Sequence, residues 1–301
     1  GASVNVYNNA SGTTATLTVP SFGSSFAGVF RDNTSGTGVL ALTLGSAATT
    51  NVLSGANAYS GLTTITAGTL QASNSSALGT SSIVITSGAV LDLNGQSLLN
   101  NGGLTINGTG ITSGGAVINS SATGATYAGL ITLGSDSSII GGTGSITISN
   151  AGTITGSGKS LTLGGAAGGT MTSIIGTGAG SLTKTDSGTW TLGGANTYTG
   201  NTVISAGTLK LAAANAISSS SAVSMANSTN LDLNGYSTSV GSLSTSGSGA
   251  SVNVYNNASG TTATLTLSGS DSTFAGVIKD HTSGTGVVAL TVNGGTFTIS
   301  G

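Results

Sequence analysis

The sequence predicts an all-β chain: a parallel β-helix, or β-solenoid, that is a fragment of a long tandem-repeat array. Three observations predict it. Short runs alternate apolar residues with Ser or Thr, Gly and Asn punctuate those runs, and whole modules return at fixed offsets along the chain.

The alternation gives the strands. ATLTV (15–19), VLALTL (39–44), LTTITAGTL (62–70), SIVITSGAVLDL (82–93), NTVISAGTLKL (201–211) and ATLTLSG (263–269) all have period 2, so each strand presents one apolar face and one hydroxyl-lined face. Helix signals are nearly absent. Glu does not occur, Gly occurs 52 times, and each Gly penalises a helix by about 1 kcal/mol. The hydrophobic content of 37%, gathered in these runs, separates the chain from a disordered Gly/Ser linker.

The repeats decide between a solenoid and a closed sandwich or barrel. Residues 1–44 return at 249–292 with 33 of 44 positions identical and no gap, an offset of 248. A second module reads GANAYSGLTTITAGTL at 55–70 and GANTYTGNTVISAGTL at 194–209, identical at 11 of 16 positions. Each copy is followed by LDLNG, at 91–95 and 231–235. An aromatic, a small residue and Gly recur at 26–28, 59–61, 127–129, 198–200 and 274–276. Modules repeated along a chain let each copy stack on its neighbour. Residues 1–248 then form one full repeat unit and 249–301 the start of the next, with no domain boundary between them. At roughly 20–25 residues per rung and about 4.8 Å between rungs, one unit would hold about ten to twelve rungs. The chain reads as an excerpt of a longer polypeptide.

The GANTYTGNTVISAGTLKL string (194–211), led in by GSLTKTDSGTWTLG (180–193), resembles the passenger-associated transport repeat, also called the autotransporter-associated β-strand repeat. The string at 55–70 is similar, and TVNGGTFTISG (291–301) resembles the lead-in to a further copy. The resemblance implies a right-handed β-helix and a secreted or surface-anchored bacterial protein, of the kind seen in giant autotransporter-like adhesins and fibres. It implies a role in export and folding rather than ligand binding.

Charge and composition exclude several classes. Charged residues are 4% of the chain and the net charge is −2, which offers no electrostatic footprint for nucleic acid or an anionic membrane. No apolar run is long enough to insert in a membrane as a helix. Cysteine is absent, so disulfides, thiolate metal sites and Cys nucleophiles are absent with it.

Parallel β-helices also house polysaccharide lyases and hydrolases, so the acids need a test. They are Asp32, Asp92, Asp136, Asp186, Asp232, Asp271 and Asp280, and only Asp271 and Asp280 lie close in sequence. Paired carboxylates on one face are what glycosidic chemistry requires. Asp92 and Asp232 are equivalent residues of LDLNG, each between two inward Leu, and are expected to point to solvent before an Asn-Gly turn. His281, the single histidine, replaces Asn33 of the first copy and reads as a surface residue. Arg31-Asp32 and Lys279-Asp280 are matching pairs in corresponding turns. TITGSGKS (153–160) has Thr153 where a phosphate loop needs its first Gly, and a strand where it needs a helix. No recurring calcium-binding nonapeptide is present.

The expected assignment is therefore no catalytic, cofactor-binding or metal residue, and no cofactor. The leading expectation is a structural, non-catalytic repeat of an extracellular fibre at the bacterial surface. Its partner would be itself, head to tail and laterally. The alternative is an adhesin whose solenoid face binds host or matrix glycans on exposed aromatics such as Tyr7 and Tyr255; corner packing is the favoured reading of those aromatics. A polysaccharide-processing β-helix is the minor alternative.

Overall fold

A computed structural model describes residues 4–23, 25–99 and 102–301. Residues 1–3, which open the first copy of the repeat, lie outside the described residues. The chain divides into two compact units, Gly1–Asn150 and Ala151–Gly301. Both are β-solenoids whose strand pairs are parallel, and counted along the chain they make about 13 rungs. The helical content among the described residues is one 3-10 turn, Ile111–Ser113.

In the first unit each rung contributes up to three strands, and like strands stack. One column runs Leu17, Leu42, Thr63, Ile83, Leu104, Ile131. A second runs Leu70, Leu91, Val117, Ile139. A third pairs Ala125–Tyr127 with Ile146–Ile148. The apolar members from Leu42 onward are buried, while most of the intervening Thr and Ser face outward or are partly covered, Ser137 and Ser138 being buried exceptions. The period-2 pattern therefore translates directly into inside and outside. Each fully buried aliphatic side chain contributes about 1.5–3 kcal/mol, and stacking lets one rung supply the cover for the next.

The second unit repeats the scheme. Met171, Leu192 and Leu211 form one column, as do Leu209, Leu231, Val254 and Ile278. Leu161, Leu182, Thr202, Val223 and Leu243 form another. Val240, Leu267 and Val292 share a register in a third.

Paired residues lie between 19 apart, as in Thr189 with Thr208, and 29 apart, as in Ser97 with Thr126. The strands hold their register and the corners absorb the difference. The two copies of the long repeat show this directly. Phe26 pairs with Leu53, a separation of 27, whereas its counterpart Phe274 pairs with Ile299, a separation of 25. The missing two residues come out of the bend that follows Leu44 and Val292.

Candidate functional site

The most elaborate polar constellation is built twice, once in each unit, by the Gly-Ala-Asn-x-Tyr-x-Gly-x-Thr module. Asn57 is buried at a corner, where its Oδ1 accepts from the Phe30 amide (2.8 Å) and its Nδ2 donates to the Ala77 carbonyl. Asn196 does the same between the Ile175 amide (2.7 Å) and the Ala216 carbonyl. One amide side chain thus joins the rung before it to the rung after it. Beside it, the Tyr59 hydroxyl meets Thr63 Oγ1 at 2.7 Å, which meets Ser81 Oγ at 2.9 Å. Tyr198, Thr202 and Ser221 form the same chain. Burial pushes both phenols up to about 12 against the opposing pull of these hydroxyls. Buried polar groups with complete partners specify a corner, and the neutral phenols serve it as hydrogen-bonding groups.

The glycines of the module have separate reasons. A Cβ on Gly61 would lie 2.3 Å from the Leu40 carbonyl oxygen, and one on Gly200 would lie 2.4 Å from that of Gly180. Gly68 and Gly207, in the Ala-Gly-Thr-Leu strings, sit at φ 67° and 68°, a left-handed region that glycine enters without steric cost.

The acids do not converge. Asp92 and Asp232 correct the expectation of solvated strand residues: both are buried. The strand reaches its corner at the Asp, so the carboxylate turns along the solenoid instead of outward. Asp92 accepts from the amides of Asn94 (2.9 Å) and Ser120 (3.1 Å), from Ser120 Oγ (2.6 Å) and from Gln71 Nε2 (2.8 Å). Asp232 accepts from the amides of Asn234 (2.9 Å) and Asn257 (3.2 Å). The Asn-Gly turns form as expected, with Asn94 and Asn234 at φ 44° and 46°. Asp32 accepts from the Leu40 amide and from the amide and hydroxyl of Ser60 on the next rung. Burial raises its pKa, but these three bonds outweigh it and leave the carboxyl below its ordinary value. Asp136, Asp186, Asp271 and Asp280 are exposed. Among the described residues no three of His, Asp, Glu or Cys gather as metal ligands.

Arg31 donates to Asn5 Oδ1 at 2.8 Å, so the Arg31-Asp32 pair divides between different partners. His281 is exposed and its Nδ1 lies 3.1 Å from the Gly286 carbonyl. Asn33 makes the equivalent bond to Gly38, so the imidazole stands in for an amide. The GSGKS string forms a turn, with Gly156 and Gly158 at φ 139° and 72°, that leads into the strand Leu161–Gly164.

One buried ion escaped the sequence reading. Lys184 is fully buried, and its Nζ donates to the carbonyls of Thr185, Asp186 (2.7 Å) and Ala206 (3.0 Å). Burial pushes the ammonium down to about 8, with the Asp186 charge acting in the opposite direction. The signal was in the alternation: Leu182 and Lys184 are two apart and share the inward face of one strand.

The aromatics are mostly interior. Tyr59, Tyr127, Tyr198, Trp190, Phe30 and Phe274 are fully buried, and Trp190 donates its Nε1 hydrogen to the Gly164 carbonyl. Phe22, Phe26 and Phe30 stack with centroids 5.4 and 4.4 Å apart. Tyr7 is exposed but its repeat equivalent Tyr255 is buried, because in the second unit the strand Thr229–Asp232 covers Asn253–Tyr255.

Comparison with protein families matches the passenger-associated-transport-repeat model at residues 34–72, 182–211 and 260–299. The first two spans contain the two copies of the corner module. The third ends on the strand Phe297–Ile299. Neither a curated protein nor a solved structure shows a significant match.

Proposed function

We propose, for a chain that carries three passenger-associated transport repeats, that it is a non-catalytic structural stretch of a secreted or surface-displayed bacterial passenger, stacked into a fibre. The observation that carries this reading is the rebuilding of one corner, bond for bond, at the 248-residue offset. Asn8 Nδ2 donates to the Thr13 and Val39 carbonyls at 3.0 and 3.1 Å, and Asn256 Nδ2 donates to the Thr261 and Val287 carbonyls at 3.1 and 3.0 Å. Asn9 Oδ1 accepts from Thr34 and Ser35 as Asn257 Oδ1 accepts from Thr282 and Ser283. An array conserves stacking geometry from copy to copy, whereas a catalytic face would need one copy to differ.

The side-chain chemistry supports a scaffold. Its covered acids Asp32, Asp92 and Asp232 and its buried cation Lys184 bind backbone groups at corners, and most of its large aromatics fill the interior. That interior placement counts against a row of sugar-stacking platforms, because Tyr255 would have to leave its packing to meet a glycan. The low charge favours lateral association that is insensitive to salt. Diffraction from native fibres tests the reading. A meridional reflection near 4.8 Å, with fibre length rising in proportion to repeat copy number, is the expected result. Compact particles whose length ignores copy number would refute it.

A further inference from the structure

Asn followed by Gly is a chemically fragile pair, because glycine has no Cβ to shield its backbone nitrogen from the carboxamide beside it. The Gly nitrogen gives up its proton to water and attacks the Asn Cγ. The new N–Cγ bond closes a succinimide, the Cγ–Nδ2 bond breaks, and the amide nitrogen leaves as ammonia with a proton from water. A further water opens the ring to Asp or to isoaspartate, whose main chain is longer by one carbon. The pair occurs at 94–95, 101–102, 107–108, 234–235 and 293–294. Asn94-Gly95, Asn107-Gly108 and Asn234-Gly235 are partly exposed to water and lie between a rung before and a rung after.

In all three the attacking nitrogen is already engaged. The Gly95 amide donates to Asn119 Oδ1 at 2.9 Å, the Gly235 amide to Asn256 Oδ1 at 2.7 Å, and the Gly108 amide to Ser135 Oγ at 2.7 Å. Each of these acceptors belongs to the rung that follows. The carboxamide is held from the other side. Asn94 Nδ2 donates to Ser73 Oγ at 3.1 Å, Asn107 Nδ2 to the Ile85 carbonyl at 2.8 Å, and Asn234 Nδ2 to the Leu211 carbonyl at 2.8 Å. Those acceptors belong to the rung before, so nucleophile and target are tied to opposite rungs. The clamping asparagines are themselves fixed: Asn119 Nδ2 donates to the Thr123 and Ser145 carbonyls at 2.8 and 3.0 Å, as Asn256 Nδ2 does to those of Thr261 and Val287. Two different strings, INSSATG (118–124) and YNNASGT (255–261), thus build the same clamp over the two LDLNG turns.

A hydrogen bond donated by an amide N–H favours its protonated form, and ring closure needs the nitrogen and Cγ free to reach attack geometry. We propose that Asn94, Asn107 and Asn234 are latent deamidation sites that the following rung keeps shut, so that isoaspartate forms at them where rungs have separated. Water is the co-reactant. An extra main-chain carbon at such a bend throws the residues beyond it out of register with the neighbouring rung, so each event stops that rung from stacking again. The modification therefore makes a lasting record of lost stacking. The proposal rests on these bends alone, so its failure leaves the passenger reading standing.

The test keeps the 301-residue chain for weeks at neutral pH and reads Asp and isoaspartate at each site by mass spectrometry of peptic peptides. The same chain in guanidinium gives the unclamped rate. Native Asn94, Asn107 and Asn234 should react at least about tenfold more slowly than in denaturant. Ser135→Ala should raise the Asn107 rate by about tenfold, the weight of one hydrogen bond, and leave Asn94 and Asn234 of the same molecule unchanged. Ser135→Thr, which keeps the hydroxyl, should restore the slow rate. Asn119→Ala should act at Asn94 and Asn256→Ala at Asn234, each site serving as the control for the other. Where circular dichroism shows either of those variants unfolded, the Ser135 pair decides. Equal rates in the native and denatured chain overturn the proposal. So does a native rate at Asn107 in Ser135→Ala, a Ser135→Thr rate as fast as that of Ser135→Ala, or a rise at all three sites together in Ser135→Ala, which would trace the reaction to general loosening.

Discussion

Replacing Asn196 with Ala should cost about 2–5 kcal/mol, far more than a single asparagine usually contributes. The side chain is 6% exposed and holds the Ile175 amide at 2.7 Å and the Ala216 carbonyl on the opposite side. Alanine removes both bonds and leaves one donor and one acceptor stranded, each worth about 1–3 kcal/mol when buried without a partner. Asn33→Ala is the control. Asn33 donates to the Gly38 carbonyl from a partly exposed turn, where water replaces it, and the loss should stay within about 0.5 kcal/mol. Guanidinium unfolding followed by circular dichroism gives the two differences. Native-state hydrogen exchange of the Ile175 amide supplies a local reading that does not depend on two-state unfolding, which repeat arrays can violate. If Asn196→Ala and Asn33→Ala cost the same, and the Ile175 amide keeps its protection, the bridging role of the module asparagine is wrong.

Four further outcomes are expected. Lys184 has its folded-state pKa lowered to about 8 from an ordinary 10.5, so the unfolded chain binds more protons between those values and stability should rise with pH across that window, by at most about 3 kcal/mol; denaturation midpoints at pH 7.5 and 10.5 check this, and Lys184→Met should flatten the trend. Gly61→Val should cost several kcal/mol because the new Cβ meets the Leu40 carbonyl oxygen at 2.3 Å, whereas Gly12→Ala, at φ 71° in open space, should cost about 1 kcal/mol from backbone strain alone; thermal melts distinguish them. Asp32→Ala should destabilise by about 1–3 kcal/mol, read by denaturant unfolding; because hydrogen bonding lowers the Asp32 pKa, its contribution is full above the ordinary carboxylate range and lost as the pH falls through the folded value. Trypsin should cut the native chain slowly, since Lys and Arg total five and Lys184 is buried; rapid cleavage after Lys184 would contradict its placement.

The strands were legible because burial along most of them follows period 2. Leu42, Ile65, Leu91 and Leu209 could be placed inside from the alternation alone. The corners were harder. Asp92 sits between two inward leucines, and strict alternation sends it outward; the structure buries it because the strand ends there and Leu91, Asp92 and Leu93 all turn into the corner. Lys184 shows the converse. Its position in the alternation is inward, but the cost of burying an ammonium argues against the pattern, until three carbonyls from the neighbouring turns are in view. The module Asn and Tyr were visible as a recurring string. Their bridging role was not, since the Asn57 partners lie 27 residues before it and 20 after it, and Thr63, the near partner of Tyr59, hands the chain on to Ser81, 18 residues further; only the stacking brings them together.

The unequal rung lengths carry an evolutionary consequence. A corner that has absorbed two residues between one copy and the next, while Phe274 and Ile299 keep the pairing of Phe26 and Leu53, isolates each rung from mutations elsewhere. Insertions and deletions then become local edits, and unequal recombination between copies can add or delete rungs without repair at distant positions. Genes for such chains should vary in length between related strains far more readily than those for a closed barrel, whose strand count and shear must change together.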